Sequence, residues 1–147
     1  MHTTSMRRSV AAPIDDVFDW MADGSNWATV RGMFYSRVHP ADGPEPYGVG
    51  SLRDFASFGS KVTEVVTRFE RPHCIGYRAL SSIPPIRHDG GSITFRAIPG
   101  GTEVCWTTTL TLKVPVLADV LTRLFLPLVR IGMVNVTATA ERALTRR

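Results

Sequence analysis

Residues 102–113 carry the strictest alternation of apolar and polar side chains in the chain. Val104, Trp106, Thr108, Leu110 and Leu112 alternate with glutamate, cysteine, threonine and lysine. Successive side chains of a β-strand point to opposite faces of its sheet. The pattern therefore predicts a strand with one covered face and one wet face, as in an antiparallel sheet that is covered on one side.

A long helical pattern follows Pro115 and extends over residues 116–145. At 100° per residue, six apolar side chains form one stripe, which we expect to face the sheet. Pro127 lacks a backbone N–H and is expected to kink the helix. Arg130 falls on the same side as other charged residues, which favours a solvated arginine over a functional one. The stripe consists of Leu117, Val120, Leu121, Leu124, Leu128 and Ile131.

The preceding part of the chain reads as a first strand, two short helices and five further strands. Pro13 suits the first position of a helix, and Ser25 or Asn26 is expected to cap the second helix. Turn residues separate short apolar runs at regular spacing, which predicts an antiparallel meander of about seven strands and an α+β fold. Strands are predicted at 3–10, 33–38, 51–58, 61–69, 74–80, 92–98 and 102–113, helices at 14–21 and 27–30, and loops at 41–50 and 81–91.

Length and charge narrow the class of protein. The 147 residues fit one domain, 1–147. The net charge is +4, but the arginines are scattered and no basic block is interleaved with aromatic residues, so we expect no specific nucleic-acid partner. Residues 1–10 lack the apolar core of a signal peptide, and the apolar stretch 124–136 is interrupted and shorter than the roughly 20 residues of a membrane span. We expect a cytoplasmic protein without a transmembrane segment.

No metal or cofactor motif is present in the sequence. Cys74 and Cys105 do not form a CxxC pair, and we interpret both as buried thiols on strands. No nucleophile elbow, HExxH, P-loop or Rossmann fingerprint occurs. We therefore predict no metal and no cofactor.

Four segments, taken in order, resemble the START-like (SRPBCC) superfamily, in particular its polyketide cyclase/dehydrase-like branch. They are SVAAPIDDVFDWMAD at 9–23, GVGSLRDF at 48–55, VTEVVTRFERPHCIGYRA at 62–79 and GSITFRAIPGGTEVCWTTTL at 91–110. The resemblance covers nearly the whole chain. It implies a helix-grip fold, in which the long C-terminal helix lies across the concave face of the sheet and a cavity between them holds an apolar molecule. Some members of the superfamily catalyse cyclisation or dehydration and others only carry or sense a ligand, so the fold does not decide between them.

Candidate ligand-binding residues come from the expected inward faces. Core packing and cavity lining are both open for the aromatic ones. Asn135 falls within the apolar stripe, and its amide needs hydrogen-bond partners in the protein, a trapped water or a ligand. The candidates are Phe55, Tyr77, Arg87, His88, Phe95, Trp106, Thr108, Leu124, Leu128, Ile131 and Asn135.

Catalytic candidates are few. His88 is a weak candidate for a general base, because neighbouring Asp89 would point to the opposite face of a strand and would not orient it. Glu64 lies between Val62 and Val66 and projects either into the cavity, where desolvation would raise its pKa, or towards a cross-strand arginine. The inward face at Asp54 is not assigned by the pattern.

Three functions stay open at this point. The first is binding of a small hydrophobic or amphipathic ligand that resembles a lipid, sterol or polyketide. The second is a cyclase or dehydratase acting on a polyketide-like or steroid-like substrate. The third is a protein-interaction module, with a homodimer contact through residues 124–136, where Leu126, Val129 and Met133 depart from the main stripe.

Overall fold

One curved antiparallel sheet of seven strands and a long C-terminal helix make up the architecture. The computed structural model describes residues 1–57 and 60–146. The elements are β1 (His2–Val10), α1 (Ile14–Ala22), a 3-10 helix (Gly24–Thr29), β2 (Met33–His39), β3 (Leu52–Ser57), β4 (Ser60–Glu70), β5 (Cys74–Ile83), β6 (Ile86–Ile98), β7 (Gly101–Leu112) and α2 (Ala118–Thr145). The predicted α+β helix-grip class is confirmed. Phe58 and Gly59, the predicted end of a strand and start of a turn, lie outside the described residues.

The strand order is β1-β7-β6-β5-β4-β3-β2, so the first strand joins the sheet beside the last. In β7 every second residue is buried and the others are half-buried, as the alternation predicts. Trp106 at the centre of β7 pairs with Met6 of β1 and Ile93 of β6. The covered face of the sheet is therefore continuous across these three strands.

The 3-10 helix replaces the short helix predicted at 27–30, and its cap is also different. The side chain of Asp23, and not that of Ser25 or Asn26, accepts a hydrogen bond from the backbone N–H of Ser25 at 3.0 Å. Because the cap acts earlier in the chain, the helical turn begins at Gly24 and carries Trp27 into the core.

The loop predicted at 81–91 is wrong, because β5 and β6 extend through most of it. Only Pro84 and Pro85 separate the two strands. The pairing of β6 with β7 shifts register between His88 and Gly91, and Gly90 has φ +107°. A left-handed residue lets the strand continue through a bulge, so the glycines mark a bulge and not a turn.

The apolar stripe of α2 that was predicted to face the sheet does not pack against it. Leu124, Leu128 and Ile131 are 67%, 56% and 55% exposed, and the rest of the predicted stripe is exposed with them. The opposite side of the helix packs on the sheet instead. Its buried residues are Thr122, Met133, Val136, Thr137, Thr139 and Ala140. Met133 and Val129, assigned to a dimer contact by the sequence, are part of the core or pack against it.

Threonine hydroxyls explain this reversal. Those of Thr122 and Thr139 donate to backbone carbonyls one turn earlier, at 2.6 Å to Ala118 and 2.7 Å to Asn135. Their polar groups are satisfied inside the helix, so they are buried without an unmet donor. A face containing threonines therefore packs as if it were apolar, and a count of apolar residues assigns it to solvent.

Contacts along its length hold α2 against β1 and β7. The hydroxyl of Thr122 also accepts from the backbone N–H of Leu112 at 2.9 Å, and Arg8 donates to Glu141 at 2.8 Å. Arg130 is exposed, as predicted, and its Nε donates to the backbone of Ser5. Pro127 lies inside the helix; the kink stays a prediction.

By length and composition alone, α2 would suffice to cross a membrane. An 18-residue window in it has a mean hydropathy of 1.4, and 22% of that window is buried. The core helix of a soluble protein can pass the same test, so the result is weak evidence for a membrane span. The low buried share reflects the many apolar side chains of α2 that are exposed.

Candidate functional site

A cavity of about 280 Å³ lies between the concave face of the sheet and α2. Its wall is mainly apolar, with polar side chains gathered from β4, β5, β6 and β7. Eight of the predicted ligand-binding residues line it: Phe55, Tyr77, His88, Trp106, Thr108, Leu128, Ile131 and Asn135. Their contact with a ligand stays a prediction.

Three predicted site residues are placed elsewhere. Arg87 precedes His88 on β6, so its side chain lies on the exposed face of the strand. Phe95 is buried in the core, where its ring meets the edge of Phe18 at 5.2 Å. Leu124 lies on the outer side of α2 and does not line the cavity.

Trp27 is a cavity residue that the sequence did not single out. The 3-10 helix sets its ring 5.5 Å from Trp106 and 5.7 Å from Phe55, between centroids. Its indole N–H donates to the carbonyl of Met21 at 3.2 Å, which fixes the ring at the cavity wall. A buried tryptophan in a short helix has no sequence signal that separates a wall from a core position.

His88 is held by hydrogen bonds on both ring nitrogens. Nδ1 accepts from the backbone N–H of Ala79 at 2.9 Å, and Nε2 lies 2.6 Å from Oγ1 of Thr108. Because Nδ1 is an acceptor here, the neutral ring carries its proton on Nε2 and donates to Thr108. Burial lowers the pKa of His88, while Asp89 opposes that shift. The ring is therefore a neutral donor with its lone pair already engaged, which argues against the predicted role as general base.

Tyr77 is seated against this histidine. The two rings stack with their centroids 5.6 Å apart, and the indole N–H of Trp106 donates to the Tyr77 hydroxyl at 2.8 Å. A Cβ at Gly91 would lie 2.2 Å from Cζ of Tyr77, so only glycine leaves room for the phenol ring. Burial raises the pKa of Tyr77 to about 12, with a smaller contribution from Glu64. The hydroxyl therefore keeps its proton at neutral pH.

The hydroxyls of Tyr77 and Thr108 each have a proton to spare. Thr108 accepts from His88 and Tyr77 accepts from Trp106. Within residues 1–57 and 60–146, neither hydroxyl donates a hydrogen bond to a protein acceptor. Both protons are available to a hydrogen-bond acceptor in the cavity that both residues line.

A buried ion pair lies beside this group. Arg53 and Glu64 are 1% and 3% exposed and lie opposite each other on β3 and β4. The guanidinium stacks on Trp27 at 4.6 Å and on Tyr77 at 5.6 Å, and Glu64 lines the cavity. Burial raises the pKa of Glu64, and the charge of Arg53 opposes that shift. From the sequence, Glu64 was expected to project either into the cavity or towards a cross-strand arginine. In the structure it lines the cavity and also pairs with Arg53.

The remaining polar candidates lie outside the cavity. Asp54 points away from it, and a hydrogen bond from the Thr63 hydroxyl lowers its pKa. Cys74 is buried, whereas Cys105 is only half-buried, on the polar face of β7; both are free thiols. In the described part of the chain, no three His, Cys, Asp or Glu side chains form a group that would hold a metal.

Structural neighbours share this architecture. The chain superposes with a TM-score of 0.77 on the Zhui aromatase/cyclase from Streptomyces sp. R1128, at 17% identity, covering 99% of this chain and 96% of that one. A START superfamily protein from Mycobacterium smegmatis gives a TM-score of 0.78 at 12% identity, covering 99% and 100%. The di-domain ARO/CYC BexL from the BE-7585A biosynthetic pathway gives 0.75 at 18% identity, and the chain spans 50% of its length. At these identities the likeness shows the fold alone.

Family membership rests on the sequence as well as on the fold. No curated protein sequence matches the chain. The family model described as polyketide cyclase / dehydrase and lipid transport matches residues 1–141, nearly the whole chain. The protein therefore belongs to the polyketide cyclase / dehydrase and lipid transport family.

Proposed function

We propose that the protein binds one small, mainly apolar molecule that carries a hydrogen-bond acceptor, such as a carbonyl group. The observation that carries this proposal is the apolar cavity with the spare hydroxyl protons of Tyr77 and Thr108 on its wall. Its volume is close to the lower end of the range for ligand pockets, about 300–1,000 Å³. This size favours a compact ring system over a long acyl chain.

Two forces would act on such a ligand. Burial of its apolar surface contributes about 25 cal/mol per Å², before the cost of ordering. The spare hydroxyl protons orient the ligand, because a ligand acceptor that bonds to one of them regains the hydrogen bond that it loses on leaving water. An apolar molecule without an acceptor would leave a buried donor unsatisfied and would bind less tightly.

Native mass spectrometry of the freshly purified protein, followed by denaturing extraction, tests the proposal. We expect a small apolar molecule to be released, or binding of an added aromatic ketone such as 2-acetylnaphthalene. Ala79 lines the cavity, so Ala79→Phe should fill it and abolish binding while the fold is kept. A wild-type protein that takes up no ligand from apolar ketone, sterol and lipid panels would refute the proposal.

A cyclase or dehydratase reaction is the second candidate, because Glu64 places a carboxylate with a raised pKa in the cavity wall. Such a group can exchange a proton with a bound polyketide-like or steroid-like substrate. The neighbouring spare protons would stabilise an enolate oxygen. Glu64→Gln should then abolish turnover and spare binding; an equal loss of both assigns Glu64 to holding the ligand.

The interaction module without a ligand has less support, because it gives no reason for the cavity. A homodimer would need the exposed side of α2, and the experiment on that surface below includes it as an outcome. A cytoplasmic location and the lack of a nucleic-acid partner stay predictions.

A further inference from the structure

We propose that the exposed apolar side of α2 docks on an anionic lipid surface and brings the cavity mouth to the bilayer. This surface, named the α2 apolar face, consists of Leu117, Val120, Leu121, Leu124, Leu128 and Ile131. The inference does not depend on which ligand the cavity holds, because it rests on exposed side chains of α2 and at the cavity mouth.

The exposure of this face is unusual for a helix in a folded domain. Its six side chains are between 38% and 67% exposed, and Val116, just before the helix, is 66% exposed. They recur at helical spacing, so they form one continuous strip and not scattered single residues. Contiguous exposed apolar surface of this kind marks an interaction site for a protein or a membrane.

The strip leads to the mouth of the cavity. Leu128 and Ile131 belong to the α2 apolar face and also line the cavity. Ile83, at the end of β5, lines the cavity as well and is 67% exposed. Apolar side chains from two different elements therefore reach solvent where a ligand would enter.

Charge favours a lipid surface as the occupant. Arg123 and Arg130 are exposed on one flank of the helix, about 120° from the centre of the strip at 100° per residue, and exposed Arg31 lines the cavity. An apolar strip flanked by arginines is typical of helices that lie in the interface of anionic membranes. The acidic residues of α2 are already engaged, Asp119 with His2 and Glu141 with Arg8.

A second copy of the chain fits this face less well. It would bring the same basic flank, whereas both acidic side chains of its α2 already form hydrogen bonds with side chains of their own chain. It would also cover the residues at which the cavity reaches solvent. A bilayer instead offers anionic headgroups to the arginines and an apolar phase to the strip.

Vesicle flotation with the full-length protein tests the proposal. Vesicles of phosphatidylcholine alone are compared with vesicles containing about a quarter phosphatidylglycerol. We expect binding to the anionic vesicles that weakens with salt. Val120→Gln/Leu124→Gln, at two exposed positions that do not line the cavity, should weaken it about tenfold or more. Arg123→Gln should weaken it about fivefold.

Val49→Gln serves as the matched control, because Val49 is 61% exposed on the loop between β2 and β3 and should bind like wild type. Sedimentation of each protein reports its mass, and titration with 2-acetylnaphthalene reports the cavity. Absence of vesicle binding, or binding that the double variant leaves unchanged, overturns the proposal. A dimer that the double variant dissociates assigns the face to self-association and overturns it too. If the wild-type protein binds the vesicles but does not bind 2-acetylnaphthalene, only the proposed ligand is refuted.

Discussion

Tyr77 shows how a single glycine can determine the shape of a cavity wall. Its ring stacks on His88 and occupies the space that a side chain at Gly91 would fill. The hydroxyl is thereby fixed next to Trp106. The glycine pair at 90–91 therefore serves two purposes, since Gly90 permits the bulge and Gly91 makes room for the phenol ring.

Gly91→Ala should displace the ring and destabilise the protein by about 1–3 kcal/mol, as other overpacked cores are. Gly132→Ala is the matched control, because a Cβ there meets nothing within 4 Å in the middle of α2. It should stabilise the protein by about 0.5–1 kcal/mol through helix propensity. Urea unfolding measures both changes. Equal effects of the two substitutions would contradict the role assigned to Gly91.

His88 should make stability depend on pH. Burial lowers its pKa in the folded state, so the unfolded chain binds the proton at a higher pH. The contribution of neutral His88 to the free energy of unfolding is complete above the ordinary histidine pKa of about 6.5. It is lost as the pH falls from there through the lower pKa of the folded state. The free energy of unfolding should therefore decrease from about pH 7.5 to pH 5.5.

His88→Gln is expected to reduce this decrease, since an amide can replace both hydrogen bonds and does not titrate. His73→Gln, on an exposed turn residue, should leave it unchanged. Urea unfolding across the pH range gives the comparison. An identical pH profile for wild type and His88→Gln would rule out His88 as the cause.

At the scale of elements, the packing of α2 on the sheet depends on the hydrogen bonds of its buried threonines. Thr122 accepts from the backbone N–H of Leu112 and ties the helix to β7, whereas Thr137 bonds only within its own helix. Thr122→Val should cost about 1–3 kcal/mol, because it leaves a buried N–H without a partner. Thr137→Val removes a donor whose carbonyl acceptors keep their helical bonds, so it should cost less than about 1 kcal/mol. Thermal unfolding of the two variants checks the difference, and equal losses would contradict it.

The same threonines explain how far the sequence could predict this fold. Period-two alternation in β7 specifies its faces, because each polar residue there meets solvent or a neighbouring strand. In α2, two sides of the helix are rich in apolar residues, and the hydrogen bonds that bury threonines are invisible in an apolar count. The fold was therefore predictable, whereas the packed side of the helix was not.

The cavity residues also divide into those that strand alternation predicts and those that it does not. Strand parity predicted Tyr77, Trp106 and Thr108 at the cavity wall, because alternation carries that information directly. Trp27 was not predicted at the cavity wall, because its position depends on a 3-10 turn capped by Asp23. The buried pairing of Arg53 with Glu64 depends on the register of β3 against β4, which the pattern of a single strand does not contain.

For the whole molecule, ligand binding and stability must be linked. A ligand that binds only the folded state should raise the free energy of unfolding by about 2.7 kcal/mol at one hundred times its dissociation constant. Val120→Gln/Leu124→Gln should show the full increase, and Ala79→Phe should show none. Thermal unfolding with 2-acetylnaphthalene measures it. An increase that persists in Ala79→Phe would place the ligand outside the cavity.

The position of β1 beside β7 has a consequence for synthesis on the ribosome. His2 pairs with Leu110, so β1 has no partner until β7 has emerged. Pairings of such long range close large loops and slow folding. The nascent chain must therefore keep β1, a partly apolar strand, unpaired until the ribosome has made β7, and it is in this period that a chaperone would be most needed.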